Sequence, residues 1–180
     1  MRVLGLDPGS RRTGYGVVER SGNQFCCVDH GTITPRARLS LSDRLHDIAS
    51  RVGAVIERTA PACVVVEEAF YHENVRSTLV LGHVRGALLV AAVQHGIPVA
   101  EYSPREIKMS VVGNGGASKE QVAFMVRRMV GISSALQPDA ADALAAAICH
   151  LHRTRPTPPK QAASAAAERL AAMLARKGRR

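Results

Sequence analysis

An α/β fold is predicted: a five-stranded mixed sheet, three antiparallel strands then parallel ones, with helices on both faces. Three observations carry this prediction. Three short apolar runs near the N-terminus are separated only by turn residues, which suits an antiparallel meander. The run Cys63-Val64-Val65-Val66 shows no polar alternation, as expected of a central parallel strand covered on both faces. Stretches of helical periodicity then alternate with the later apolar runs, the order of β–α units. The 180 residues, 46% of them apolar, fit one domain with a core of ordinary size.

Residues 2–7 form the first strand, stopped by Asp7-Pro8-Gly9-Ser10. Thr13 to Glu19 form the second, Ser21-Gly22-Asn23 a turn, and Phe25 to Ile33 the third. Leu39, Leu41, Leu45, Ile48, Val52, Val55 and Ile56 recur at helical spacing, which predicts an amphipathic helix over 39–59 with Arg44, Arg51 and Arg58 mostly outward. The β-branched strand from Cys63 ends in Glu67-Glu68. A helix from Val75 to about His95 follows, with Leu79, Val80, His83, Val84, Ala87 and Leu88 among its packing positions. Gly96-Ile97-Pro98 stops it, and Val99 to Tyr102 form a fifth strand. A short helix is expected near 104–111. After the glycine-rich 113–116, Ser118-x-x-Gln121 reads as a capping box that opens a helix to about Val130. Pro138 opens the last helix, to about His152. Prolines at 156, 158 and 159 and an Ala-rich basic stretch then mark residues 153–180 as a tail outside a 1–152 domain, marginally helical at most.

Net charge is +9, which makes an acidic partner such as nucleic acid plausible. Residues 153–180 hold eight basic residues and one acid, so +7 of that charge lies in the tail and only +2 in the domain. The four cysteines form no C-x-x-C pair and are expected to be buried small hydrophobes in a reducing cytosol. The seven histidines show no metal-ligand spacing. The N-terminus is charged too soon for a signal peptide, and no apolar run approaches the ~18–20 residues that span a bilayer. A cytoplasmic protein with no membrane partner is therefore expected.

Four acids fall where strand or helix ends can gather them. Asp7 ends the first strand, an acid of Glu67-Glu68 ends the fourth, and Asp139 and Asp142 lie three apart on one helix face. If the first and fourth strands are neighbours, their C-terminal ends bring Asp7 beside the glutamate. Clustered carboxylates without a cation repel one another. Oxygen-only sets suit Mg²⁺ or Mn²⁺, and two such ions can clamp a phosphodiester displacement. A basic chain with an internal acidic cluster thus points to a metal-dependent nuclease. Each acid also has a plainer role open to it: Asp7 as a turn residue, Asp139 as a favourable charge at a helix N-terminus. Adjacent strand residues face opposite ways, so only one of Glu67 and Glu68 can enter the site, and periodicity does not choose between them.

Several segments in register resemble the RuvC family of Holliday junction resolvases over about residues 2–152. They are Leu4-Gly5-Leu6-Asp7-Pro8-Gly9-Ser10 with Thr13-Gly14-Tyr15-Gly16, Val66-Glu67-Glu68-Ala69-Phe70, Asn74 to Gly86, Lys108 to Gly113, and Asp139-Ala140-Ala141-Asp142-Ala143-Leu144. The resemblance selects Glu67 over Glu68. It implies an RNase H-like fold and a homodimer acting on four-way DNA junctions in recombination and repair. Asp7, Glu67, Asp139 and Asp142 would bind two Mg²⁺ per subunit, with Mn²⁺ an expected substitute, though some members carry His at the position of Asp139. In-line attack by water would leave a 3′-hydroxyl and a 5′-phosphate, with paired symmetric nicks in strands of like polarity. By the same resemblance Phe70 would stack at the junction centre, Lys108 and Lys119 would contact DNA, and the RuvA–RuvB branch-migration complex would be a partner. Lys119, at a helix N-terminus after a glycine-rich loop, also suits phosphate on its own chemistry. Arg76 is a further phosphate candidate beside the Phe70 loop. The helix from 75 carries Gly82, Gly86 and Ala87, and the family dimerises through the matching helix.

Three other readings remain. Asp7-x-Gly-Ser with Thr13-Gly14 also resembles the first phosphate loop of actin-like ATP-binding proteins, but no second such loop is present. A non-catalytic nucleic-acid binder would gain nothing from four acids facing phosphate. A related nuclease acting on RNA–DNA hybrids would share the same cluster.

Overall fold

The computed structural model describes residues 1–36, 38–68 and 74–154. Ten elements follow in order: β1 (Arg2–Asp7), β2 (Thr13–Ser21), β3 (Gln24–Ile33), α1 (Leu41–Thr59), β4 (Cys63–Glu67), α2 (Val75–Gln94), β5 (Val99–Tyr102), α3 (Pro104–Val112), α4 (Lys119–Val130) and α5 (Pro138–Arg153). The strands form one sheet in the order β3-β2-β1-β4-β5. β1–β2 and β2–β3 are antiparallel, while β4 runs parallel to β1 and β5 parallel to β4. The expected mixed sheet is therefore present, with every element within two or three residues of its expected bounds. Of the tail expected at 153–180, Arg153 ends α5 and Thr154 caps it, and residues 155–180 lie outside the described residues.

Strand alternation divides the core between the two faces. Val3, Val18, Cys63 and Val65 face α3, α4 and α5, with Leu144, Ile148 and Leu151 of α5 fully buried against them. Leu4, Leu6, Val17, Val64 and Val66 face α1 and α2, meeting Ile48, Val52, Val84 and Leu88. Burying each such side chain contributes roughly 1.5–3 kcal/mol.

Local chemistry sets the helix starts nearest the end of the sheet where β1 and β4 finish. Ser103 and Glu106 form a reciprocal capping box with Pro104 in the first turn of α3. Ser118 and Gln121 form the expected box at α4. Both helices end at a glycine with positive φ, Gly113 and Gly131.

Two expectations need correcting. Leu79 and His83, expected to pack, are exposed, while α2 buries the expected Val84 and Leu88 together with Ala91 and Ala92. This helix is apolar all round, so its sequence carries no phase from which a buried face can be read. It is also, among the described residues, the one helix long and apolar enough to cross a membrane by length and composition. Arg76 and Arg85 interrupt it, yet its mean hydropathy still reaches 1.3. The second correction concerns the cysteines. Cys63 and Cys149 are buried, but Cys27 is half-buried and Cys26 exposed, because β3 is an edge strand with one face open to solvent.

Candidate active site

The pairing of β1 with β4 builds the first half of the site. Leu6 lies opposite Val66 in the parallel register, so the chain ends of both strands bring Asp7 and Glu67 side by side. Neighbouring strands lie about 4.8 Å apart. Alternation also decides between the two glutamates. Cys63 and Val65 face α5, so Glu67, two residues on, faces the same way, and Glu68 does not. Glu67 lines the cleft described below.

Helix α5 supplies the second half by resting its backbone on the strands. A Cβ at Gly5 would lie 1.9 Å from the Ala143 carbonyl oxygen, and one at Gly14 would lie 1.9 Å from that of Asp139. No side chain fits at either position, so the helix approaches the strand backbone directly. Gly14 pairs with Asp7 across the β1–β2 ladder, which puts the first turn of α5 over the end of β1. Asp142, one turn along, then reaches the same cleft as Asp7.

The cleft encloses about 180 Å³ and is lined by Asp7, Glu67, Asp142, Lys108 and Lys119, with Pro104, Ile107, Val122 and Ala145 as apolar walls. A larger, open hollow of about 770 Å³ lies at the other end of the sheet, by the β2–β3 turn. Arg20, Phe25, Arg128 and His152 line it, and no carboxylate does, so it lacks the groups for the same chemistry.

Crowding the acids raises their proton affinity. Burial, then the charges of Glu67, Asp142 and Asp139, push Asp7 up to about 8, with Lys119 opposing. Burial and Asp142 push Glu67 up to about 7, against Lys119 and Lys108. These are the shifts expected of carboxylates that lack a counter-cation. One cation is already drawn in: Lys119 Nζ donates to Asp142 Oδ2 at 3.1 Å, although the Lys119 side chain is 74% exposed. Asp142 in turn holds the Lys119 ammonium above its ordinary range. Among the described residues no three His, Cys, Asp or Glu side chains stand ready to share one metal ion. The donor chemistry nevertheless fits hard divalent cations, since the acids are oxygen-only and under-neutralised, and an ammonium occupies a position beside them.

The structure thus gathers Asp7, Glu67, Asp142, Lys108 and Lys119. Asp139 is half-exposed and does not line the cleft, though its charge is felt at Asp7. Arg76 is exposed in the first turn of α2 and is not among the lining residues. Phe70 and Tyr71 lie outside the described residues. Two contributors escape a reading of the acids alone. The Ser103-Pro104-x-Glu106 cap fixes where Lys108 projects, and its signal is plain in the sequence. Gly5 and Gly14 admit α5, and glycine inside a strand is a general sign of close backbone approach.

Comparison with known proteins places this arrangement. A family model described as crossover junction endodeoxyribonuclease RuvC matches residues 3–150. The RuvC endonuclease of Hyphomonas neptunium is 47% identical over 152 residues, covering 84% of this chain and 91% of that protein. The enzyme of the same name from Myxococcus xanthus is 45% identical over 176 residues, 97% of this chain and 92% of that one. Among solved structures, Thermus thermophilus RuvC in complex with a Holliday junction substrate superposes with a TM-score of 0.80 at 35% identity, covering 85% of this chain and 94% of that one. A yeast mitochondrial Holliday junction resolvase, 15% identical with a TM-score of 0.58 over 83% of this chain and 78% of that one, shares the fold.

Proposed function

Since the chain belongs to the RuvC family of crossover junction endodeoxyribonucleases, we infer that its carboxylate cleft is where it cuts four-way DNA. The chain is a divalent-metal-dependent nuclease that resolves Holliday junctions in recombination and repair. The observation that supports placing the reaction here is the meeting of Asp7, Glu67 and Asp142 with two lysines in one cleft at the end of the sheet.

Asp7, Glu67, Asp142 and Asp139 are the proposed ligands of two Mg²⁺ per subunit, with Mn²⁺ able to replace them. Bound divalent ions would supply Lewis-acid stabilisation of the attacking and leaving oxygens of the phosphodiester. The residues themselves do the rest. Asp7 and Glu67 are held rigidly by paired strands, and Asp142 by a helix seated on glycine backbone. Lys108 and Lys119 offset the negative charge that a phosphate brings toward the acids. Lys119 is exposed enough to exchange the Asp142 carboxylate for a phosphate oxygen. The products are a 3′-hydroxyl and a 5′-phosphate. Phe70 is assigned to stacking at the junction centre and Arg76 to a phosphate of the same strand.

A second copy of the chain is the proposed occupant of the outer face of α2. Val75, Leu79, Val90 and Val93 are exposed there, and Gly82 and Gly86 open the space between them. Their spacing repeats every three to four residues, as in a helix–helix seam. Two subunits so joined would present two clefts for paired nicks. Family membership supports RuvA and RuvB as partners and a cytoplasmic location.

The test is cleavage of a synthetic four-way junction, the linear duplex of the same sequence and an RNA–DNA hybrid, each with Mg²⁺ or with chelator. Paired, religatable nicks at symmetric positions are expected in the junction alone, and only with metal. Undiminished cutting in chelator, or a linear duplex cut as fast as the junction, refutes the proposal.

A further inference from the structure

The arginines of this domain divide by their partners. Those away from the cleft are mostly neutralised: Arg2 by Glu19, Arg51 by Asp47, Arg58 by Asp29, Arg85 by Glu101 and Arg153 by Glu106. Arg20 and Arg127 donate to backbone carbonyls, as Arg44 does to Leu39, and Arg128 lies over the Phe124 ring. Among the described residues, Arg11, Arg12, Arg36, Arg38, Arg76 and Arg105 have no ion pair, hydrogen bond or ring contact. All six lie at the end of the sheet that carries Asp7 and Glu67. Arg11 and Arg12 follow β1, Arg36 and Arg38 follow β3, Arg76 opens α2 after β4, and Arg105 opens α3 after β5.

The first four form a tract of their own. Thr13 pairs with Ile33, so the β1–β2 loop and the β3–α1 loop emerge next to each other. Residues 8–13 and 34–40 contain no acid, so nothing local discharges the guanidiniums. The strand-side ends of both loops are tied down. Thr13 is fully buried and its hydroxyl donates to the Gly9 carbonyl at 3.0 Å. Arg51 donates to the Thr34 carbonyl at 3.3 Å. Exposed, unpaired guanidiniums suit phosphate, which they bind in a fork geometry that lysine lacks.

We infer that Arg11, Arg12, Arg36 and Arg38 form a second phosphate-binding surface, which holds the DNA on the β2–β3 side of the carboxylates. Arg105 and Lys108 of α3 directly follow β5 on the opposite side, so the cut strand is gripped on both flanks of the cleft. β3 is two strands from β1 in the sheet, a lateral offset of about 10 Å. With one phosphate per about 3.4 Å of axis on each strand, the tract meets phosphates about three nucleotides from the scissile one. The inference rests on the cleft being the nuclease site.

The test measures junction affinity against salt for the full chain, without divalent metal, in wild type, R11Q/R12Q, R36Q/R38Q and R11K/R12K. Each phosphate contact contributes about 0.9 to the slope of log affinity against log salt. Wild type should therefore lose about tenfold more affinity than either glutamine pair between 50 and 200 mM salt. The lysine pair should keep most of the wild-type slope, and all four should melt at similar temperatures. With Mg²⁺ and protein in excess, single-turnover cleavage by the glutamine pairs should stay within about threefold of wild type, a binding effect rather than a chemical one. Wild-type slopes in both glutamine pairs, beside an active wild type, overturn the tract alone. A wild type that neither binds nor cuts the junction overturns the nuclease site beneath it, and the tract with it.

Discussion

Asp7→Asn should stabilise the metal-free protein, and by an amount that grows with pH. Asp7 is pushed up to about 8 from an ordinary 3.8, by burial first and then by Glu67, Asp142 and Asp139. A carboxyl raised in this way keeps its proton in the folded chain at pH values where the unfolded chain has released it. Stability then falls as pH climbs from about 4 to about 8, and levels off once Asp7 is ionised in both states. At 1.36 kcal/mol per pH unit, the shift sets a ceiling of roughly 6 kcal/mol on the cost of ionising Asp7 in place. Side-chain relaxation and water entry absorb much of such a penalty, which leaves about 2 kcal/mol for a neutral Asn to recover. In a chain of this size that is a Tm higher by about 4–8 °C at pH 9. At pH 4 Asp7 keeps its proton in the folded chain and has released it only in part in the unfolded one, so the two proteins should melt within about 2 °C of each other. The assay is thermal unfolding in chelator at both pH values, repeated with Mn²⁺, which should favour wild type because the ion binds its folded state. A lower Tm for Asn at pH 9, or an equal gain at both pH values, would refute the idea that unneutralised repulsion strains this cleft.

Two further perturbations probe other parts of the structure. Gly14→Ala places a Cβ about 1.5 Å inside ordinary contact with the Asp139 carbonyl, so α5 must lift. We expect a loss of about 1–3 kcal/mol in stability and of about 100-fold in cleavage. Single-turnover rates on pre-bound junction check this, and a wild-type rate would show that α5 seating does not position the acids. Leu79→Asp on the outer face of α2 should yield monomers by light scattering, with folding intact because Leu79 is exposed in the single chain. A dimer that persists at micromolar concentration would remove this face from the interface.

Much of this was legible in the sequence because the signals are local. The capping box at Ser118, the β-branched run from Cys63 and the prolines at 98 and 138 each act within a few residues, and the matching elements form where they predict. Asp7, Asp142 and one of the pair Glu67-Glu68 were also legible, as acids at element ends that the topology then gathers. What the sequence withheld depends on contacts across long separations. Glu67 is distinguished from Glu68 only by which face of β4 meets α5, and a strand buried on both faces shows no alternation to reveal it. Asp139 and Asp142 share a helix face, yet only Asp142 lines the cleft, because Asp139 sits above Gly14 at the rim. The Lys119–Asp142 pair spans 23 positions, and nothing in the local sequence of either residue announces it. The buried phase of α2 was unreadable for a different reason, its lack of any polar face.

The measurement that bears most directly on the carboxylate cleft is single-turnover cleavage of a four-way junction by the Asp7→Asn protein, at concentrations where a gel shift shows the junction fully bound. Binding within a few-fold of wild type is expected, together with a cleavage rate lower by at least about 1,000-fold in Mg²⁺. Cleavage near the wild-type rate by this folded, junction-bound variant would place the chemistry somewhere other than the end of β1.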